Sequence, residues 1–154
     1  MTNLLHYEDF TVGRVFPLGP YNVTADEIIA FAEEFDPQPQ HLSEEGGKAS
    51  ILGGLAASGF HVCGMAMRML VDGVFHNSNI KGGIGADDIR WLKPVRPGDT
   101  LHGRIEVGEV RISRRKPEMG FVQTTATLTN QHGEVVFLLR SAAIFKTRMT
   151  AGQG

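Results

Sequence analysis

The sequence predicts an α+β domain in which an antiparallel sheet wraps around one long buried helix. The residues from about 58 to 71 are nearly all apolar, as in a helix that is buried on every side. From about residue 89 to residue 145, apolar and polar residues alternate as they do in half-buried strands. A sheet folded around a single helix is the simplest arrangement that buries both apolar surfaces.

The composition predicts a soluble globular protein of one domain. The chain has 154 residues, and a chain of this size can bury roughly 69% of its surface on folding. Its content of 42% hydrophobic and 21% charged residues excludes a wholly disordered chain. A formal net charge of −2 argues against nucleic acid as the main partner.

The sequence predicts no internal disulfide bond, no metal site and no membrane span. Cys63 is the one cysteine, which excludes an internal disulfide and a zinc site built from cysteines. The six histidines are scattered, without the paired spacing of metal sites. Residues 51–67 are uncharged but number only 17 and include four glycines, whereas a membrane span needs about 20 apolar residues. The first nine residues do not read as a secretory signal, so the expected location is the cytoplasm.

A first helix is predicted over residues 24–35. Thr24 and Glu27 can form a capping box, in which each side chain bonds the free backbone N–H of the other residue. Pro37 ends the helix, because a residue that precedes proline avoids the helical region. One apolar stripe at helical spacing would face the core: Ile28, Phe31, Ala32 and Phe35.

A second helix is predicted over residues 58–71, after a long irregular loop. The loop is indicated by Gly46, Gly47, Gly53 and Gly54. Because nearly every residue of the second helix is apolar, we expect it to be buried all round.

The second half of the chain is predicted to form antiparallel strands. Residues 89–92 lead into a turn at 96–99, and an alternating strand follows over 101–107. The alternation shifts by one residue at Gly108, which indicates a bulge. Residues 122–128 alternate again, residues 130–133 form a hairpin loop, and residues 135–145 are apolar enough for a central strand.

The segment after the first helix carries a carboxylate and an imidazole at close spacing. Pro37 and Pro39 fix the backbone dihedral φ and are expected to deny helical structure between Asp36 and His41. A carboxylate and an imidazole held together can move a proton on and off a substrate within one turnover. The alternative is that Asp36 only ends the helix and that His41 is solvated.

The start of the second helix is a candidate oxyanion site. The first four N–H groups of a helix have no partner within it, and the helix dipole favours negative charge there. Gly59 would let a substrate carbonyl approach the backbone, which suits an enolate or thioester oxyanion. Alternatively, Ser58 is an ordinary helix cap and Gly59 serves packing.

These features, in this order, resemble the MaoC-like dehydratases, the family of (R)-specific enoyl-CoA hydratases with the hotdog fold. The family motif Asp-x-Asn-Pro-x-His is matched by Asp36, Pro39 and His41, with Gln38 in place of the asparagine. Residues 54–60 resemble the stretch that enters the family's central helix, and residues 91–101 resemble its strand–turn–strand signature. The similarity covers about residues 7–147, so residues 1–154 are expected to form one domain with a flexible tail at 148–154.

The resemblance implies syn addition of water to a trans-2-enoyl-CoA, or the reverse dehydration. Asp36 and His41 would hold one water, one of them taking its proton and the other supplying or relaying a proton to the α-carbon. The Gly59 N–H would bind the thioester oxygen. No metal or cofactor is implied beyond the coenzyme A, or acyl carrier protein, of the substrate. An open sheet edge, together with the family, also favours a homodimer or a higher oligomer.

Two other functions remain open on the sequence. A hotdog acyl-CoA thioesterase would bind similar substrates. Many of those enzymes place a carboxylate within the first turns of the central helix, whereas the first acidic residue after Ser58 here is Asp72. A non-catalytic protein that binds acyl thioesters could keep the same fold.

Overall fold

The computed structural model describes residues 3–148 and confirms the α+β hotdog arrangement. Its strands are β1 (Val15–Asn22), β2 (Ile80–Trp91), β3 (Thr100–Ile112), β4 (Met119–Thr129) and β5 (Val135–Lys146). They form one antiparallel sheet in the order β1-β3-β4-β5-β2. The helices are α1 (Ala25–Phe35), α2 (Pro39–Leu42), α3 (Glu44–Lys48) and the long α4 (Gly59–Gly73). None of these helices has the length and apolar character needed to cross a membrane.

The core lies between α4 and the sheet. The buried residues of α4 recur at the helical spacing of one face: Val62, Met65, Ala66, Met69 and Leu70. They belong to one cluster with buried residues of β3 and β4, among them Leu101, Ile105, Val122 and Leu128. This packing fixes the position of the helix start that faces the candidate site.

The prediction that the second helix is buried all round was wrong. Phe60, Met67 and Val71 are 70%, 49% and 38% exposed, and they lie on the face of α4 opposite the core residues. Apolar composition alone cannot distinguish a fully internal helix from one that keeps a second apolar face.

The segment between α1 and α4 is more regular than predicted. Pro39 begins α2 rather than preventing it, because the first position of a helix needs no N–H donor and proline already has the required φ. Residues 44–48, predicted as irregular loop, form α3, whose start is capped by Ser43 through the Gly46 N–H at 3.0 Å.

Only one of the two hydrogen bonds of the capping box predicted at the start of α1 is present. The Glu27 N–H donates to the Thr24 hydroxyl at 3.2 Å, as the capping box requires. The Glu27 carboxylate instead accepts a hydrogen bond from the Tyr21 hydroxyl at 3.0 Å.

Most strand predictions are confirmed. The pairing of β3 with β4 shifts register between Val107 and Val110, which is the bulge expected at Gly108. β5 lies between β4 and β2, so it is an interior strand. Of the predicted flexible tail, only Arg148 is described, and its backbone N–H donates to the Glu8 carboxylate. The other tail residues lie outside the described part, and the assignment of residues 1–154 to one domain stays a prediction.

Candidate active site

Asp36 and His41 come together at the junction of two helices. Asp36 is the residue that ends α1, and its N–H donates to the Ala32 carbonyl at 2.9 Å. His41 lies on α2 and is only 7% exposed, so the alternative of a solvated His41 was wrong. Asp36 Oδ2 and His41 Nε2 are 3.5 Å apart. Within residues 3–148, no three His, Cys, Asp or Glu side chains are grouped so that they could hold a metal ion.

The imidazole of His41 is held in one tautomer. Its Nδ1 lies 2.7 Å from the Ala56 carbonyl oxygen, which can only accept, so Nδ1 carries the proton. In the neutral ring, Nε2 then presents a lone pair toward Asp36. The separation of 3.5 Å exceeds that of a direct charge-assisted hydrogen bond, about 2.7–2.9 Å. The carboxylate and Nε2 therefore form two acceptors that one water could bridge.

The Asp36 carboxylate is surrounded by hydrogen-bond donors. The largest influence on it is the neighbouring Ser58 hydroxyl, followed by the Gln38 side-chain amide, which donates to Oδ1 at 2.6 Å. These donors, with His41, hold the pKa of Asp36 below its ordinary value, against the opposing effect of burial. Asp36 is accordingly ionised at neutral pH. Gln38 thus makes a bond to the carboxylate that its position in the motif alone did not predict.

Ser58 is a site residue that the sequence did not reveal. It is 1% exposed and makes no side-chain cap at the start of α4, so the cap interpretation was wrong. Its hydroxyl oxygen is buried without a partner of good hydrogen-bond geometry among the described residues. A hydroxyl can rotate, and we therefore regard Ser58 as a donor poised beside Asp36. A serine before an apolar helix is normally read as a cap, which hid this role.

Gly59 lines the same cavity as Asp36 and His41. The cavity has a volume of about 510 Å³, and its lining also includes Trp91 and Val95. The Trp91 indole N–H donates to the Gly59 carbonyl at 2.8 Å. A Cβ at residue 59 would lie 2.7 Å from the Trp91 ring, so glycine is required here for the close packing of the indole. The role of the Gly59 N–H as an oxyanion donor stays a prediction.

A second depression also borders Asp36. It has a volume of about 560 Å³ and shares Asp36, Gln38, Ser58 and Phe60 with the first cavity. Phe31 and Phe35 of α1 complete its wall. The ionised carboxylate therefore borders two mainly apolar spaces, which suits a long ligand that reacts near its middle.

Ser58→Ala should raise the pKa of Asp36 toward its ordinary value, because it removes the largest of the influences that lower it. Stability should change little, since the lost hydroxyl has no well-formed hydrogen bond. The titration of the Asp36 carboxyl can be followed by ¹³C NMR. Gln38→Ala, which removes the other side-chain donor to this carboxylate, is measured for comparison. An unchanged titration in Ser58→Ala would show that the hydroxyl does not act on Asp36.

Comparisons with known proteins agree on one family. The family model described as "MaoC like domain" matches residues 10–131. The uncharacterized protein YdeM of Bacillus subtilis is 31% identical over 130 residues, which are 84% of this chain and 91% of that protein. The crystal structure of a MaoC-like dehydratase from Rhodospirillum rubrum is 39% identical, with a TM-score of 0.87 over 94% of this chain and 98% of that one. A Mycobacterium tuberculosis protein described as a double hotdog fold shows likeness of fold alone, with 19% identity and a TM-score of 0.83 over 100% of this chain and 48% of that one.

Proposed function

Since this chain belongs to the MaoC-like domain family, we propose that it is a hydratase/dehydratase that adds water reversibly to a trans-2-enoyl thioester. The observation that carries the proposal is the pair of proton-transfer groups, Asp36 and His41, 3.5 Å apart in one cavity. The description of the Rhodospirillum rubrum relative as a dehydratase supports the same reaction class.

In the proposed reaction, one water is held between the Asp36 carboxylate and His41 Nε2. The water oxygen attacks the β-carbon, one of the two groups takes the released proton, and the π electrons of the double bond move toward the thioester oxygen. The proton taken from the water is then passed, directly or through the other group, to the α-carbon, which completes the addition. Asp36 and His41 Nε2 are then both unprotonated again, as at the start, so the reaction needs no metal or redox cofactor.

The negative charge that develops on the thioester oxygen needs a donor in the same cavity. Gly59 is the first residue of α4 and lines that cavity. N–H groups in the first turn of a helix have no intrahelical partner, and the dipole favours an anion there. We assign this role to the Gly59 N–H, because a donor aimed at developing charge lowers the transition state more than the ground state.

A thioesterase is the less well-supported function. Asp72, the first acidic residue of α4, lies in its last turn, where it forms an exposed ion pair with Arg68. It is therefore not at the helix start, where Ser58 and Gly59 line the cavity. A panel of enoyl-CoA and enoyl-acyl-carrier-protein thioesters separates the two functions. Hydration removes the conjugated thioester absorbance and leaves the thiol bound, whereas a thioesterase releases the thiol.

We further propose that the protein is a homodimer. Phe60, Met67 and Val71 form an exposed apolar face on α4, where the Phe60 ring makes an edge contact with Trp91 at 5.8 Å. β2 is an edge strand that pairs only with β5, and an open edge favours pairing with another chain. Phe60 and Trp91 line the cavity and are still exposed, so a second copy on this side would complete its wall.

Met67→Glu should convert the dimer to a monomer and reduce turnover, because it places a charge in the middle of the proposed apolar interface. Val15→Glu is the matched control, since Val15 is apolar and similarly exposed, 47% against 49% for Met67, but lies on β1, at the sheet edge opposite β2. Light scattering at micromolar concentration measures the mass. A wild-type protein that shows only the 16.8 kDa species would contradict the dimer.

A further inference from the structure

Arg96 lies outside the cavity but holds the backbone that forms its floor. The half-buried Arg96 side chain starts in the turn after β2 and reaches back to the segment that leads into α4. Its guanidinium donates to the carbonyls of Leu55, at 3.3 Å, and of Leu52. Arg96 itself is not among the residues that line the cavity.

The carbonyl that orients His41 comes one residue after this clamped segment. Ala56 accepts the His41 Nδ1–H at 2.7 Å. The same residue donates its N–H to the Gln40 carbonyl at 3.2 Å, and the Ala57 N–H donates to the Val95 carbonyl at 2.9 Å. Three contacts thus tie a short stretch of chain to α2 and to the Arg96 turn.

The turn that carries Arg96 is itself fixed. The Arg96 N–H donates to the Asp99 carboxylate at 2.8 Å, and the Asp99 N–H donates to the Arg96 carbonyl at 3.1 Å. Close packing brings the guanidinium onto the loop, because a Cβ at Gly54 would lie 2.8 Å from Arg96 Nη1. The guanidinium is a planar fork that can reach two carbonyls together, which the single ammonium of lysine on a flexible stem cannot reproduce.

We infer that Arg96 is a positioning residue: its hold on Leu52 and Leu55 places the Ala56 carbonyl so that His41 keeps its proton on Nδ1 and presents Nε2 to Asp36. Without this hold, the segment keeps only the Ala56 and Ala57 N–H bonds, so the Ala56 carbonyl can shift and His41 can rotate or change tautomer. The inference rests on the proposed function only for its effect on turnover, because the state of the His41 ring can be observed without substrate.

The test is the imidazole Nδ1–H resonance of His41 in ¹⁵N-labelled full-length protein, assigned by its loss in His41→Ala. We expect this resonance in the wild type and its loss or strong shift in Arg96→Lys. Gly54→Ala should have the same effect, since the added methyl would lie 2.8 Å from both Arg96 Nη1 and Glu44 Oε1 and so displaces the flexible guanidinium end while Arg96 is retained. The matched control is Arg14→Lys, because the Arg14 guanidinium also donates to a backbone carbonyl, that of Asp9 at 2.7 Å, away from the site.

With an enoyl thioester, Arg96→Lys should lower kcat by up to about 100-fold while KM changes little, because Arg96 does not line the cavity. An unchanged His41 resonance in both Arg96→Lys and Gly54→Ala would overturn the inference. If Arg96→Lys does not fold, Gly54→Ala decides alone. A changed resonance in a protein that hydrates no enoyl thioester would refute the proposed function and leave the positioning role standing.

Discussion

Asp36→Asn and His41→Ala should each lower hydration of an enoyl thioester by about 10²- to 10⁴-fold, which is about 2.7–5.4 kcal/mol of transition-state stabilisation. Asparagine keeps the shape of the aspartate but cannot accept a proton. His41→Ala removes the group whose Nε2 lies 3.5 Å from the carboxylate. Turnover is measured on the thioester that the wild type hydrates best, with the melting temperature alongside.

The double variant tests whether the two groups share one water. If they do, Asp36→Asn combined with His41→Ala should be little worse than the worse single variant, because residues that act as a unit are not additive. Losses that multiply would keep both residues in the mechanism but reject the shared water. Near-wild-type rates in both single variants would show that neither residue takes part in the mechanism.

The pH dependence of stability provides a control on the state of Asp36. Its pKa in the folded protein is below its ordinary value, so the ionised carboxylate stabilises the fold above an unfolded pKa of about 3.9. This stabilisation is lost as the pH falls through the lower folded-state pKa. Asp36→Asn should therefore lower the melting temperature slightly at neutral pH, and the difference should shrink as the solution is acidified below about pH 4.

Gly59→Val should reduce turnover by roughly 10²- to 10³-fold, the loss typical of an impaired oxyanion donor. The first added carbon would lie 2.7 Å from the Trp91 ring, so the indole must move, and the valine methyls would crowd the cavity beside the backbone N–H. A rise in the melting temperature or an unchanged one would show that lost packing is not the cause.

Trp91→Phe is the matched control for Gly59→Val. It removes the 2.8 Å hydrogen bond to the Gly59 carbonyl and reduces the cavity wall, but it leaves the Gly59 N–H in place. A much smaller loss in Trp91→Phe than in Gly59→Val is the expected result. Equal losses of turnover in the two variants would show that the effect comes from the changed cavity wall, and the assignment of the Gly59 N–H as oxyanion donor would lose its support.

The parts of the fold that could be predicted are those in which local pattern and tertiary packing agree. The alternation of β4 and the register slip at Gly108 both persist because one face of the sheet is buried. β1 was not predicted because it contains Pro17 and Pro20, which an edge strand tolerates but which read as a break. The first part of β2 was hidden in a similar way by Gly82, Gly83 and Gly85, where the pairing with β5 shifts register.

The pairing of the two reactive groups was predictable because they lie close together in the chain. Asp36 and His41 are five positions apart, so the motif could indicate their pairing. Two of the partners that tune them come from distant segments: Ala56 orients His41, and Ser58 lowers the pKa of Asp36. The reach of Arg96 to Leu52 spans 44 positions in the sequence. Such contacts depend on how β2 and α4 pack, and no periodicity in the sequence reveals them.

The most direct test of the proposed water addition is mass spectrometry of a trans-2-enoyl-CoA after incubation with the protein in ¹⁸O-labelled water. The account predicts an intact 3-hydroxyacyl-CoA that is heavier by one labelled water, with the label on the acyl chain, and its loss in Asp36→Asn. Free coenzyme A together with an ¹⁸O-labelled carboxylic acid would contradict the account and identify a thioesterase. A thioester that is bound but recovered unlabelled from the whole panel would also contradict it and identify a binding protein.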